Sequence, residues 1–228
     1  MSLKAVSLSE QIAQHLAEQI ITGQLAPGER LPEIELARKL DVSTNSLREA
    51  FRLLEKQHLI KLQPRKGAWV CEVNEAQVRD LYSFLFLLLS TLAGQAAKNW
   101  RHGEIEDLVN MLPSLEQHYH NGDILSAHQL AFQLVERAVE RFAGNRYLAA
   151  DIKNLIPLLK RFSYMALQKE TTEFDVSLQI FKRLLMHVVA RDEAAAKADI
   201  REYGDNQCKI VLHAINKQSA EQALEKLA

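Results

Sequence analysis

The chain has 228 residues, is 47% hydrophobic and 25% charged, and carries a formal net charge of −1. That is enough apolar material for one large or two modest domains, and it excludes a disordered or collagen-like chain. Glycine and proline are scarce, at 8 and 5, so helix should dominate.

Cys71 and Cys208 are the only cysteines. No CxxC pair exists, which argues against a disulfide framework or a zinc finger. The N-terminus lacks the charged-then-apolar pattern of a signal peptide. The apolar run 84–89 falls far short of the roughly 20 residues that span a bilayer. These features predict a soluble protein of a reducing compartment, the cytoplasm.

Leu8, Ile12, Leu16, Ile20 and Ile21 mark a first amphipathic helix, starting at Ser7 or Ser9 and ending near Gly23. Residues 25–32 read as a loop. Pro32 then preorganises a second helix over 33–40, with Ile34, Leu36, Ala37 and Leu40 expected to face inward. Asp41 makes a short turn. Ser43 has the form of an N-cap, because its hydroxyl can accept an orphan amide at the start of the next helix.

From there Leu47, Ala50, Phe51 and Leu54 fall at i, i+3, i+4 and i+7, one apolar face. The opposite face carries Thr44, Asn45, Arg48, Arg52 and Lys56. After His58 the pattern changes to alternation, with Ile60 and Leu62 on one side and Lys61 and Gln63 on the other. Pro64-Arg65-Lys66-Gly67 is a basic turn, and Ala68-Trp69-Val70-Cys71 returns as a second strand. A helix followed by a basic-tipped hairpin is the shape of a winged helix-turn-helix. Residues 43–70 hold six Lys or Arg against two acids, a local excess of four positive charges in a nearly neutral chain. Exposed helices are often basic for solubility alone. Joined to the cap, helix and hairpin, however, the island reads as a footprint for phosphates.

Several separated motifs now add up. Pro27-Gly28-Glu29-Arg30-Leu31-Pro32-Glu33, Glu35-Leu36-Ala37, Val42-Ser43, Leu47-Arg48-Glu49-Ala50 and 64–70 together resemble the N-terminal domain of GntR-family bacterial transcription regulators. The resemblance covers about residues 7–73. It implies that the second and third helices and the wing grip an operator through Arg30, Arg38, Ser43, Thr44, Asn45, Ser46, Arg48, Arg52, Arg65, Lys66 and Gly67. Arg offers a bidentate fork for guanine, and Gly lets the wing backbone approach closely. Two departures stand out. Where the family has Arg-Thr-Pro after Val-Ser, this chain has Thr44-Asn45-Ser46, so a base-reading Arg is replaced and a different operator is expected. The usual Gly after the recognition helix is His58, which would strain a left-handed position.

Asn74 opens a long helix to about Trp100. Between Leu81 and Leu92 only Ser83, Ser90 and Thr91 are polar, so this helix must be covered on all sides, as a core helix, a dimer seam or both. Further helices are predicted over about 104–120, 123–142, 146–169, 173–190 and 192–217, with no strand after residue 74. The expected fold is mainly α: a winged helix-turn-helix over 1–73 (three helices and a β-hairpin wing), then an all-α bundle over 74–228.

Leu130-Ala131-Phe132, Ala143-Gly144-Asn145 and the helix break at Arg191-Asp192 before Ala195-Ala196 resemble the FadR-C-terminal-domain (FCD) subgroup. That resemblance implies dimerisation and an effector pocket, with a divalent metal held by Asp-x3-His and two later His. Residue by residue these four ligands fall on Gln129, Gln133, Phe181 and Tyr203, and a carboxylate-clamping Arg falls on Leu85. Gln is a weak ligand, Phe none and a phenol seldom one. The expectation is therefore no metal cofactor, and an apolar pocket built around these five residues. His118 and His120 read as solvated. His128 and His187 are more often core or boundary residues, though a rearranged metal site through them stays open.

The leading reading is a homodimeric repressor on a pseudo-palindromic double-stranded operator, modulated by a small molecule, with no membrane partner. The alternative is a C-terminal domain that no longer senses an effector and serves only dimerisation or protein interaction. An enzyme is disfavoured, because no GxSxG, Gly-rich phosphate loop or acid pair beside a base is present.

Overall fold

The structure is a computed structural model that describes residues 6–167 and 174–225. Among them are ten helices and one three-stranded antiparallel sheet. The chain forms two compact units, one of residues up to Val73 together with Asn154–Tyr164, the other of Asn74–Lys153 and residues from Met165 on.

In the first unit, α1 (Leu8–Ile21) opens with a capping box: Ser7 accepts from the Glu10 amide and the Glu10 carboxylate accepts from the Ser7 amide. Helices α2 (Glu33–Lys39) and α3 (Thr44–Lys56) follow. As the sequence predicts, Ser43 caps α3, its hydroxyl accepting from the Ser46 amide at 3.0 Å. His58 takes the left-handed conformation, φ 58°. The His58 amide donates to Glu55 O and the Leu59 amide to Leu54 O, which closes the end of α3 without glycine.

The wing is β2 (Ile60–Gln63) against β3 (Gly67–Val70), in the register Ile60↔Val70 through Gln63↔Gly67. Its third strand, β1 (Arg30–Leu31), lies in a stretch read from sequence as loop; it pairs with β3 through Trp69 and Ala68. A two-residue strand leaves no alternation to detect. Leu16, Ile20, Leu47, Leu54, Leu59, Ile60 and Val70 form the buried core.

The second unit holds α4 (Glu75–Asn99), α5 (Glu106–Val109), α6 (Leu112–His120), α7 (Ile124–Phe142), α9 (Phe174–Val189), α10 (Glu193–Glu225) and the ends of α8 (Arg146–Leu167). The single helix expected over 104–120 is broken at Asn110-Met111, ahead of Pro113 at the start of α6. Helix α4 is long and apolar enough to cross a membrane, but much of its surface is covered by α7, α9 and α10.

Helices α4 and α10 run antiparallel, with Gly94 against Lys197 and Gly204 against Phe86. Both glycines are tight, since a Cβ at Gly204 would stand 2.3 Å from Phe86 Cγ. The end of α4 is held by Arg191, whose guanidinium covers the Trp100 ring at 4.3 Å and donates to Trp100 O at 2.7 Å.

One stretch departs from the sequence-based domain division. Residues 154–164, the middle of α8, group with the first unit, because Leu158 packs on its core and Arg161 donates to Cys71 O at 2.7 Å. Arg161 is 2% exposed, and its Nη1 is buried without a hydrogen-bond partner. Burial pushes its pKa down to about 10.

Candidate nucleic-acid interface

The α3 surface turned away from the core presents Thr44, Asn45, Arg48 and Arg52, all exposed, while Leu47, Ala50, Phe51 and Leu54 are buried beneath. Ser43 and Ser46 are tied to the cap itself, their hydroxyls 2.9 Å apart. Arg48 is not free in solution: its Nη2 lies 2.8 Å from Glu33 Oε1. An exposed pair of this kind contributes under about 1 kcal/mol, so a phosphate or a base edge can displace the carboxylate.

Beside the pair lies a cleft of about 620 Å³ lined by Arg30, Glu33, Ile34, Arg48, Arg52 and Gly67, among others. It joins the first turn of α2, the outer face of α3 and the tip end of the wing strands. At the wing tip Arg65, Lys66 and Gly67 are exposed, with Arg65 at φ 62° and Gly67 at φ 91°. A Cβ at Gly67 would meet nothing within 4 Å, so backbone conformation rather than crowding selects glycine there. Arg38 is exposed in the last turn of α2.

Two residues of this cleft escaped the sequence reading. Glu33 was read only as a helix start. Ile34, expected to face inward, is 69% exposed. Side chains of a helix tilt toward its N-terminus, so a first-turn residue projects past the element its helix packs on; only Ala37 of α2 is fully buried.

In the second unit the expected pocket residues part company. Gln129 and Gln133 are exposed, on an outer stripe of α7 with Arg137 and Glu140. The inward stripe of α7 instead runs through Ala127, Leu134 and Phe142. Neither glutamine is among the residues that line the recess bordered by Phe181. Leu85 and Phe181 are buried. Tyr203 packs on Phe86 at 6.2 Å and on Phe181 at 5.9 Å. Burial raises the Tyr203 phenol well above its ordinary pKa, with the Tyr119 and Tyr82 phenols adding to the effect, and Tyr119 is itself pushed up to about 12. Both phenols are neutral donors at physiological pH.

Phe181 also borders a half-open apolar recess of about 60 Å³ whose walls include Leu89, Ala93, Leu134, Leu184 and Ile200. The His128 ring meets Phe132 edge-on at 4.9 Å, and His187 Nδ1 lies 2.5 Å from Asp199 Oδ2, which also accepts from Arg183 through its other oxygen. Among the described residues no three His, Cys, Asp or Glu side chains gather as metal ligands would.

A winged helix with a cationic recognition face, followed in the chain by an all-helical unit, defines a class of DNA-binding regulator. Residues 8–70 match the bacterial regulatory proteins of the gntR family, and residues 80–206 match the FCD domain. The chain belongs to the GntR family of transcriptional regulators, with an FCD domain, and not to a family of enzymes.

Among its relatives, the HTH-type transcriptional regulator YdhC of Bacillus subtilis (strain 168) is 26% identical over 212 residues, 90% of this chain and 91% of that one. The gluconate operon transcriptional repressor of the same organism is 24% identical over 75% of this chain and 70% of its own length. Among solved structures, E. coli McbR/YncC superposes with a TM-score of 0.77 at 21% identity, over 92% of this chain and 99% of that one, which establishes the likeness of fold.

Proposed function

We propose that the chain is a repressor that binds a pseudo-palindromic operator as a homodimer in the cytoplasm. The observation that carries this reading is the set of exposed cations, Arg48 and Arg52 on α3 and Arg65 and Lys66 on the wing, in a chain of net charge −1. Repression is supported by the gluconate operon repressor among the relatives. Phe84 and Leu87, large apolar side chains exposed one turn apart on α4, offer a face for a second copy. Two-fold symmetry of the protein would then be mirrored in the operator.

Genomic fragments bound by the full chain should share an inverted repeat. Arg48→Ala should lose them while remaining a dimer by light scattering. A folded wild-type monomer that ignores genomic DNA at low ionic strength would refute the proposal.

For the helical unit, a small-molecule effector in a metal-free, apolar site follows from the loss of the ligand set at Gln129, Gln133, Phe181 and Tyr203. One observation favours the second reading, a dimerisation module without sensing. The half-open recess bordered by Phe181 is about 60 Å³, against roughly 300–1,000 Å³ for small-molecule sites. A metabolite screen by thermal shift separates the two. A compound that raises Tm and releases operator establishes sensing, and a screen without any such compound favours the closed module.

A further inference from the structure

Ile34 is the most exposed of the large hydrophobic side chains among the described residues, at 69%. A lone exposed aliphatic is ordinary on a protein surface. The setting of this one is not. It follows Glu33, whose carboxylate grips Arg48 at 2.8 Å, so the first turn of α2 lies against the second turn of the recognition helix. Ile34 stands on the rim of the cleft that also holds Arg30 and Arg52. A duplex bound by those arginines would meet the same cleft that Ile34 lines.

Its chemistry restricts what it can gain there. Ile has no donor or acceptor, so it cannot use the hydrogen-bonding code by which Arg, Asn or Glu distinguish base edges. The apolar feature that the major groove presents is the C5-methyl of thymine. A polar base edge or a phosphate pressed on Ile34 would lose water without compensation, so this side chain rejects as well as selects.

We propose that Ile34 is a specificity-determining residue that packs on the C5-methyl of one thymine in each operator half-site. The inference rests on the DNA-binding reading of the first unit and deepens it.

The test uses the full-length chain and a consensus duplex selected from a random-sequence pool. Each thymine of that consensus is replaced singly by uracil, which removes only the methyl. In the wild type one thymine per half-site should show about fourfold weaker binding on replacement, the value of one buried methyl group, and about fifteenfold when both half-sites are changed. With Ile34→Ala the same replacements should have no effect, while Ile34→Val should retain most of the sensitivity. A flat uracil scan in the wild type, or an unchanged scan in Ile34→Ala, overturns the thymine contact and leaves the DNA-binding reading standing. Equal loss of affinity for thymine and uracil duplexes in Ile34→Ala likewise overturns it. If no consensus can be selected at all, both readings fall together.

Discussion

Arg161→Met should stabilise the first unit. Arg161 is 2% exposed, and of its two terminal nitrogens Nη2 donates to Cys71 O at 2.7 Å while Nη1 has no partner. Burial lowers the Arg161 pKa to about 10, a shift that disfavours the charged form by about 3 kcal/mol. Because the folded value lies below the unfolded one, this penalty is in full force at every pH below about 10. It is relieved only as pH rises beyond that.

Methionine keeps the length and the apolar stem and removes the charge. It forfeits one charge-assisted hydrogen bond, worth about 1.5–3 kcal/mol. The net expectation is a variant that is about 0–1.5 kcal/mol more stable than the wild type, as found when buried charges are replaced by isosteric apolar groups. Arg161→Ala should instead fall about 2–3 kcal/mol below the Met variant, because it leaves a cavity. The assay is urea unfolding of the full chain in a Trp100→Phe background, so that Trp69 alone reports the first unit. A Met variant more than about 1 kcal/mol less stable than the wild type would show that the guanidinium is a net stabiliser, and the desolvation argument would fail.

Four further outcomes are expected. Gly204→Ala should destabilise the second unit by up to about 2 kcal/mol in a thermal melt: its Cβ meets Phe86 Cγ at 2.3 Å, and overpacking of about 1–3 kcal/mol is set against the roughly 1 kcal/mol that alanine gains in a helix; a rise in Tm would contradict that packing. His58→Gly should stabilise by about 1 kcal/mol, since φ is 58° and the side chain is exposed; an unchanged denaturation midpoint would mean that the left-handed residue carries no strain. Neutralising Arg65 and Lys66 together should lower the slope of log affinity against log salt by about 0.9 per lost phosphate contact, uniformly across sequences; altered sequence preference with an unchanged slope would remove the wing from the backbone. Elemental analysis of purified protein should find no stoichiometric zinc, nickel or manganese; a full equivalent would restore a metal site to the helical unit.

Much of the first unit is legible from residue pattern. Ser43 announces α3 because its hydroxyl is the right length to meet the Ser46 amide, and the spacing of Leu47, Ala50, Phe51 and Leu54 sets which face is wet. The left-handed turn at His58 is foreseen through the family resemblance, because the residue stands where the family has glycine. Ile34 could not be placed by counting apolar positions, because seven residues of α2 make two turns and end effects decide which side chains are covered. Gln129 and Gln133, which the structure shows exposed, illustrate a different limit. A residue-by-residue resemblance carries positions, not helix rotation, and the inward stripe of α7 passes through Leu134 rather than Gln133. The bond from Arg161 to Cys71 spans ninety residues of chain and leaves no local trace.

The pairing of β1 with β3 has an engineering consequence. Gly28 N donates to Val70 O and Val70 N to Glu29 O, so the foot of the hairpin is sewn to the segment ahead of α2, whereas residues 64–66 at its tip lie outside the ladder. Loop sequences of different length and charge can therefore be grafted at the tip without letting the strands slip. A library varied only there would change the charge and reach of the tip on an unaltered frame.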